Sequence, residues 1–304
     1  MQSPVAVLLL IFCLGLSHAS VHKRAEIRSR RMVGGVLAKR VPWQALLYYG
    51  ESVLQGGLGG GALVSDRWIL TSGRNLFLND TQGPAKGKPT GTFKVYVGLT
   101  DRNLVEPSNE VEVEKMVVHP CFQKSSNWDH NLALIKLKEP VTFSESVMPI
   151  PLPEAGQHLE EKVGTWGILA GWGWGIHFTF ADRLKYMVVP VVSQELCQAE
   201  YVQTNLTVHN TPRVDNRTFC GGASAYDENA CFGDEGGALA VLDPANNKVY
   251  AAGILSYDKS CRAKKYTVYT KLSAYMPWIN SVMRGDSEKY SALRATVMSE
   301  LTSK

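Results

Sequence analysis

The sequence predicts an all-β protein, a sandwich or a barrel. Three observations carry this. Short runs rich in Val, Ile, Leu, Tyr and Phe recur along the chain, separated by Gly, Pro, Asn and Asp clusters. Helical periodicity is scarce, with its clearest instance near the end. The composition, 45% hydrophobic and 20% charged over 304 residues, is that of a globular chain with enough length for one large core or two fused small ones.

The elements follow in chain order. Met1 to Ala19 carries no charge, holds the apolar run Val5–Leu16 and ends in Ser17-His18-Ala19. Roughly a dozen apolar residues are too few to span a bilayer. Residues 1–19 therefore read as a cleaved export signal, the alternative being a retained anchor. Residues 20–31 form a propeptide-like stretch, basic and poor in core formers, expected to be disordered. Its five basic residues and one acidic residue account for the whole net charge of +4, so the body from Met32 onward is formally neutral. A neutral body disfavours nucleic acid or heparin as the main partner.

The candidate strands are Gly61–Val64, Trp68–Thr71, Phe93–Gly98, Val111–His119, Leu132–Leu137, Tyr186–Val192 and Tyr250–Leu255. Pro149-Ile-Pro-Leu-Pro153 reads as a stiff connector between two halves. Leu272 to about Met283 reads as a helix, and residues 284–304 as a charged tail with room for a second helical stretch. No repeat of 20–50 residues is present.

The sequons Asn79-Asp-Thr, Asn205-Leu-Thr and Asn216-Arg-Thr are candidate glycan sites in an exported chain. Of six cysteines, Cys13 leaves with the signal. The odd remainder, Cys121, Cys197, Cys220, Cys231 and Cys261, leaves one thiol free or joined to another chain. No Cys/His spacing predicts a metal site, and no cofactor is implied.

Several motifs stand in a fixed order: Arg31-Met-Val-Gly-Gly35, Pro42-Trp-Gln44, Gly60-Gly-Ala-Leu-Val64, Trp68-Ile-Leu-Thr71, Asn131-Leu-Ala-Leu-Ile-Lys-Leu137, Gly171-Trp-Gly173, Gly233-Asp-Glu-Gly-Gly237 and Tyr269-Thr-Lys271. In these the chain resembles the trypsin-like serine proteases from about Met32 to Met283. The resemblance implies a chymotrypsin-like fold: two orthogonal six-stranded β-barrels and a C-terminal helix, with the active site between the barrels.

Function is read from the site and not from the fold. The chemistry needs a nucleophilic serine, a histidine base and a buried carboxylate that orients the histidine. At the positions the resemblance assigns to these stand Glu235, Arg74 and Asn131. A guanidinium cannot accept a proton near neutral pH. A neutral amide cannot stabilise an imidazolium, and Asp129, two residues before Asn131 on one strand face, has no histidine to orient. The resemblance thus implies a non-enzymatic homologue, with Arg74 and Glu235 placed to pair across the old site. Around the former specificity pocket, Asn229 takes the floor, Ser256 and Tyr266 the walls, and Asp258 and Thr267 replace glycines.

Other implied parts remain. Gly233 would supply an oxyanion-hole N–H. Asp234 would receive the N-terminus freed by cleavage between Arg31 and Met32, unless these residues only shape turns. Cys197–Cys220 and Cys231–Cys261 would be disulfides. The pair flanking the histidine is replaced by Gly59 and Asn75. Cys121 has no implied partner; it is either half-buried and free or the link of a homodimer.

Within the family, Asn75-Leu-Phe-Leu-Asn79, Val147-Met-Pro-Ile150, Phe178-Thr-Phe-Ala-Asp182 and Gly253-Ile-Leu-Ser-Tyr-Asp-Lys-Ser-Cys261 resemble the protease-like chain of the haptoglobins. This implies a secreted protein that captures free haemoglobin, limiting haem-driven oxidation and iron loss. The alternative is a regulatory or innate-defence pseudoprotease with another protein partner. The chain departs from that family in lacking a complement-control-type domain before Arg31. It also has Pro151 where the light-chain cysteine usually stands. Trp174, Phe178 and Phe180 are the candidate partner-binding residues, since aromatics anchor protein interfaces; the alternative is that both phenylalanines fill a core. His177 reads as a surface histidine before a haem ligand.

Overall fold

The computed structural model describes residues 36–49, 57–76, 93–122, 128–175, 179–202, 211–222, 229–258, 261 and 266–285. Within them, strands dominate and sort into two sheets. The first holds β2 (Gln44–Tyr49), β3 (Gly57–Leu63), β4 (Trp68–Thr71), β5 (Phe93–Val97), β6 (Glu110–Val111), β7 (Val113–Val118) and β8 (Ala133–Leu137). Their order is β6-β5-β2-β3-β4-β8-β7, all antiparallel. β6 and β7 are successive halves of one strand, parted at Glu112. The first half pairs with β5 and the second with β8, so the strand joins both ends of the sheet and closes it. Alternation explains what fills the interior: Ala45 and Leu47, Val95 and Val97, and Ala133, Ile135 and Leu137 all point inward.

The second sheet holds β1 (Val36–Leu37), β9 (Trp166–Gly171), β10 (Lys185–Val192), β11 (Thr218–Gly221), β12 (Ala238–Asp243), β13 (Lys248–Asp258) and β14 (Thr267–Lys271). β10 pairs with both β9 and β11, so β9 to β14 close on themselves, and β1 is an arm laid on β10. Leu169, Val189, Val191, Leu239, Val241, Ala252 and Tyr269 fill this barrel. Counting β6–β7 as one strand and β1 as an arm, the architecture is the expected pair of six-stranded barrels.

The barrels meet over Ala62, Leu70, Leu132 and Leu134 from the first and Ala238, Ala240, Ala251 and Ile254 from the second. Helix α2 (Met276–Met283) seals this cluster with Trp278, Ile279 and Val282. It follows a 3-10 turn over Leu272–Tyr275 and gives way to Gly285 at φ +88°, a left-handed cap that glycine adopts without strain. The proline-rich connector bonds both barrels: Ile150 N–H donates to Leu63 O (2.9 Å) and Ala251 N–H to Pro151 O (2.9 Å). The tail's expected second helix falls at residues 286–304, outside the described residues.

Helix α1 (Gln194–Val202) was not expected. Within Gln194–Tyr201 only Cys197 and Tyr201 are buried, one turn apart. Tertiary ties hold it: the Cys197–Cys220 disulfide and the Tyr201 hydroxyl on Tyr266 O at 2.6 Å.

Candidate functional site

The site is built from both barrels. After β4 the chain makes a 3-10 turn, Gly73–Leu76, which presents Arg74 and Asn75. Before β8, Trp128 and His130 take φ +60° and +53°, a kinked entry that sets Asn131 inside, 0% exposed. From the second barrel come Gly233, Asp234 and Glu235, with Gly233 at φ +100°. A Cβ on Gly233 would meet the Phe180 ring at 2.7 Å, so close approach as well as backbone angle demands glycine there.

Arg74, Asn131 and Glu235 do come together. The Arg74 guanidinium reaches Glu235 Oε1 at 3.1 Å, as the sequence placed them to do. Glu235 Oε2 accepts from Gly233 N–H at 2.8 Å. The carboxylate therefore fills the donor that an oxyanion would need. Asn131 Oδ1 accepts the Arg74 backbone N–H (2.7 Å), and its amide donates to Ser256 O (3.2 Å) and Oγ (3.0 Å). Thr270 Oγ1 donates to Asn131 O at 3.1 Å. The guanidinium also lies 4.7 Å from the Trp128 ring centroid, a cation–π contact. These three side chains supply charge pairing and hydrogen bonds; none is a hydroxyl or imidazole that could attack a carbonyl or relay its proton.

Asp129 does not approach this group. Its Oδ2 lies 3.1 Å from Arg217 and 3.4 Å from Arg213, so two guanidinium groups draw it to the second barrel's 213–217 segment. It does not take the place of Asn131, whose side chain holds Arg74 N–H and Ser256.

Gly59 and Asn75 face each other, as a replaced cross-link requires. A Cβ on Gly59 would fall 2.6 Å from Asn75 Nδ2 and 2.2 Å from Tyr49 Oη. Asn75 Nδ2 instead donates to Glu235 O at 2.7 Å, and Gly60 N–H donates to the same carbonyl at 2.8 Å. A side-chain amide thus ties the barrels where a disulfide would have tied one loop.

Asp234 is 7% exposed. It accepts Gly173 N–H on Oδ1 (2.8 Å) and Cys231 N–H on Oδ2 (3.0 Å). Burial pushes its carboxyl up to about 7; the two N–H groups oppose this and the nearby Glu235 charge adds to it. A Cβ on Gly171 or Gly173 would strike this carboxylate, at 2.0 and 2.3 Å. Beside it lies a cavity of about 30 Å³ lined by Gly171, Gly173, Lys185 and Asn229. That volume holds roughly one water- or ammonium-sized group. Arg31 and Met32 lie outside the described residues.

Around the former specificity pocket, Ser256 is committed to Asn131, and Thr267 is 1% exposed with Oγ1 donating to Gly221 O at 3.4 Å. Asn229 turns Oδ1 onto Ala230 N–H at 3.0 Å. The Asp258 side chain lies outside the described residues.

An aromatic ridge flanks the site. Trp174 and Phe180 form a β-bridge and stack edge-on at 5.8 Å. Trp174 also meets Phe232 edge-on at 5.3 Å, and Phe232 is 44% exposed. Phe180 is half-buried against the Leu46, Trp172 and Leu184 cluster, so it serves both packing and surface. His177 and Phe178 lie outside the described residues. Two residues here carried no sequence signal. Phe232 simply precedes Gly233. Arg102, from the first barrel, bonds Ala181 O (3.0 Å), Phe180 O (3.3 Å) and Asp182 Oδ1 (2.8 Å), clamping the ridge from behind.

The disulfides Cys197–Cys220 and Cys231–Cys261 are formed, and Cys121 is a half-buried free thiol. His119, Cys121 and His130 bring ligand atoms within 4.8 Å of one another. The two imidazoles stack in parallel, and the His130 nitrogens face Tyr275 Oη at 3.1 Å and Arg217 at 2.8 Å. A shared ion would have to displace one of these two partners of His130. Asn216 is exposed; Asn79 and Asn205 lie outside the described residues.

Comparison with known proteins identifies the family. The trypsin family model matches residues 33–279. Haptoglobin of Mesocricetus auratus is 36% identical over 264 residues, covering 84% of this chain and 70% of its own. Haptoglobin of Canis lupus familiaris is 35% identical over 266 residues, covering 84% and 75%. Haptoglobin of Mus musculus is 37% identical over 265 residues, covering 84% and 70%.

Proposed function

The chain belongs to the trypsin family and, within it, to the haptoglobins, and from that premise we propose that it is a secreted, non-enzymatic protein that captures free haemoglobin. The observation that carries the non-enzymatic part is the Glu235 carboxylate, which bonds Arg74 and Gly233 N–H together. A site whose would-be nucleophile is a paired anion and whose base is a guanidinium has no route to an acyl-enzyme. The binding surface is the ridge of Trp174, Phe180 and Phe232; Phe178 is a candidate from sequence alone.

Several parts of this reading rest on sequence. Residues 1–19 act as the export signal, 20–31 as a propeptide and 32–283 as the homology domain. Cleavage after Arg31 would send the Met32 amine into the cavity beside Asp234. Asn216, with Asn79 and Asn205, carries glycan, and Cys121 is the candidate for a covalent homodimer.

The test is size-exclusion chromatography of the secreted protein with haemoglobin at physiological salt, read at the Soret band. A co-eluting complex supports capture. No complex at micromolar haemoglobin moves the reading to a pseudoprotease with another protein partner.

A further inference from the structure

Three metal-ligating side chains meet beside the entry to β8, apart from the rebuilt Arg74–Glu235 pair. The Cys121 sulfur and one ring nitrogen each of His119 and His130 lie within 4.8 Å of one another. Chain spacing hides this cluster, and strand pairing creates it. His119 follows β7 and His130 precedes β8. Val118 stands opposite Ala133, and His119 N–H donates to Leu132 O at 2.9 Å.

Each ligand is held in place. Cys121 sits in a turn closed by Phe122 N–H on His119 O at 2.9 Å. Its own N–H donates to His119 Nδ1 at 3.2 Å. His130 takes φ +53°, a left-handed backbone uncommon for a residue with a side chain. The two imidazoles stack at 4.8 Å, and the Tyr275 ring stands edge-on to both, at 5.3 and 5.8 Å. The Trp278 ring lies 4.9 Å from that of His119. His119 is buried and Cys121 half-buried, so an ion enters on the sulfur side.

Two imidazoles and a thiolate are a donor set for zinc, whereas calcium and magnesium take oxygen. With Zn–N about 2.0–2.1 Å and Zn–S about 2.3 Å, a tetrahedral ion sets its ligand atoms about 3.3–3.6 Å apart. No pair then has more than about 1.5 Å to close, which side-chain torsions supply by tilting the stacked rings. On His130 the ion replaces Tyr275 Oη or Arg217. Neither is stranded. Arg217 keeps Asp215 at 2.6 Å and Asp129 at 3.1 Å. A displaced Tyr275 oxygen lies beside the ion, where it can hold a water in the fourth position. Asp129 Oδ2, 3.7 Å from His130 Nε2, is a carboxylate of the kind that supports a ligand histidine.

We propose that His119, Cys121 and His130 bind one zinc ion. The same sulfur cannot hold an ion and join a second chain at once. In an oxidising compartment the ion keeps the odd cysteine out of disulfides.

Cobalt(II), the spectroscopic probe for such a site, tests this on the full secreted chain, stripped by chelator and kept reduced. About one equivalent is expected to give thiolate-to-cobalt charge-transfer absorption and the visible bands of a tetrahedral ion, both abolished by added zinc. Zinc is also expected to slow alkylation of Cys121 by iodoacetamide about tenfold or more, since a bound thiolate is a poor nucleophile. Cys121→Ser should remove the charge-transfer band. His130→Gln should weaken binding about a hundredfold or more, because loss of even a second-shell partner costs tenfold to a hundredfold. The alkylation assay uses the unsubstituted chain, so a variant that fails to fold leaves the test standing. No charge-transfer band, or a Cys121 rate that zinc leaves unchanged, would overturn the proposal. So would unchanged affinity in a folded His130→Gln, or Cys121 recovered in an interchain disulfide before reduction.

Discussion

Replacing Glu235 tests how much the rebuilt site contributes. Its side chain is 6% exposed and holds two charge-assisted hydrogen bonds, to Arg74 and to Gly233 N–H. Each such bond contributes about 1.5–3 kcal/mol. The Arg74 side chain is 33% exposed, so water screens that half of the pair and its share belongs at the low end. Glu235→Ala should therefore cost about 3 kcal/mol, leaving a buried N–H unmet and a guanidinium that rehydrates. Arg74→Ala strands a buried carboxylate and should cost about 2–4 kcal/mol. The double variant removes both partners together and should cost less than the sum by about 1–2 kcal/mol. Glu235→Gln keeps an oxygen for Gly233 and should recover about half the loss. Urea melts with unchanged slope give the four stabilities. Single-variant costs that add within about 0.3 kcal/mol would refute the coupling.

Other outcomes follow from the same geometry. Asp234 has its folded carboxyl raised to about 7, so the folded state holds the proton that the unfolded chain releases near pH 4. Its contribution is present below that pH and is lost as pH rises to about 7, by up to about 4 kcal/mol. Asp234→Asn should flatten this slope, while burial of His130, which lowers its pKa, gives a slope of opposite sign that the substitution leaves in place. Melts of both proteins from pH 4 to 8 decide it. Gly59→Ala should cost about 1–3 kcal/mol by overpacking against Tyr49 and Asn75, and adding Tyr49→Phe with Asn75→Ala should return part of it in the same melts. A serine-directed fluorophosphonate should leave position 235 unlabelled; an adduct there, found by peptide mass, would contradict the site's description. If the ridge docks haemoglobin, Phe232→Ala should weaken the complex by about 1–2 kcal/mol, measured by titration calorimetry.

Much of this fold is legible in the chain because each strand is a short apolar run between turn formers, and period-two alternation needs only local sequence. Barrel closure is not local. It depends on the Glu112 break that lets one strand serve two edges, and nothing in Glu110–Val118 announces it. Helix α1 was missed for a related reason: two buried residues a turn apart give little periodic signal. At the site, the family resemblance assigned Arg74 and Glu235 their positions, and their opposite charges implied the pair. They could not show that the second carboxylate oxygen fills the Gly233 donor, or that Asp129 is drawn off by Arg217. Each of these turns on a partner far away in sequence. Arg102 is the extreme case, an ordinary surface-type residue whose role exists only because Phe180 and Ala181 arrive beside it.

The bonds that converge on Glu235 and Asn131 run from one barrel to the other. Gly60 N–H and Asn75 reach the Glu235 carbonyl, Arg74 its carboxylate, and Asn131 joins Ser256 and Thr270. In a protease this seam must admit a substrate and let products leave. Here it is stitched shut by side chains. Melting either barrel alone would break every stitch without freeing the other half's chain entropy, which favours a single cooperative calorimetric transition for the two barrels together.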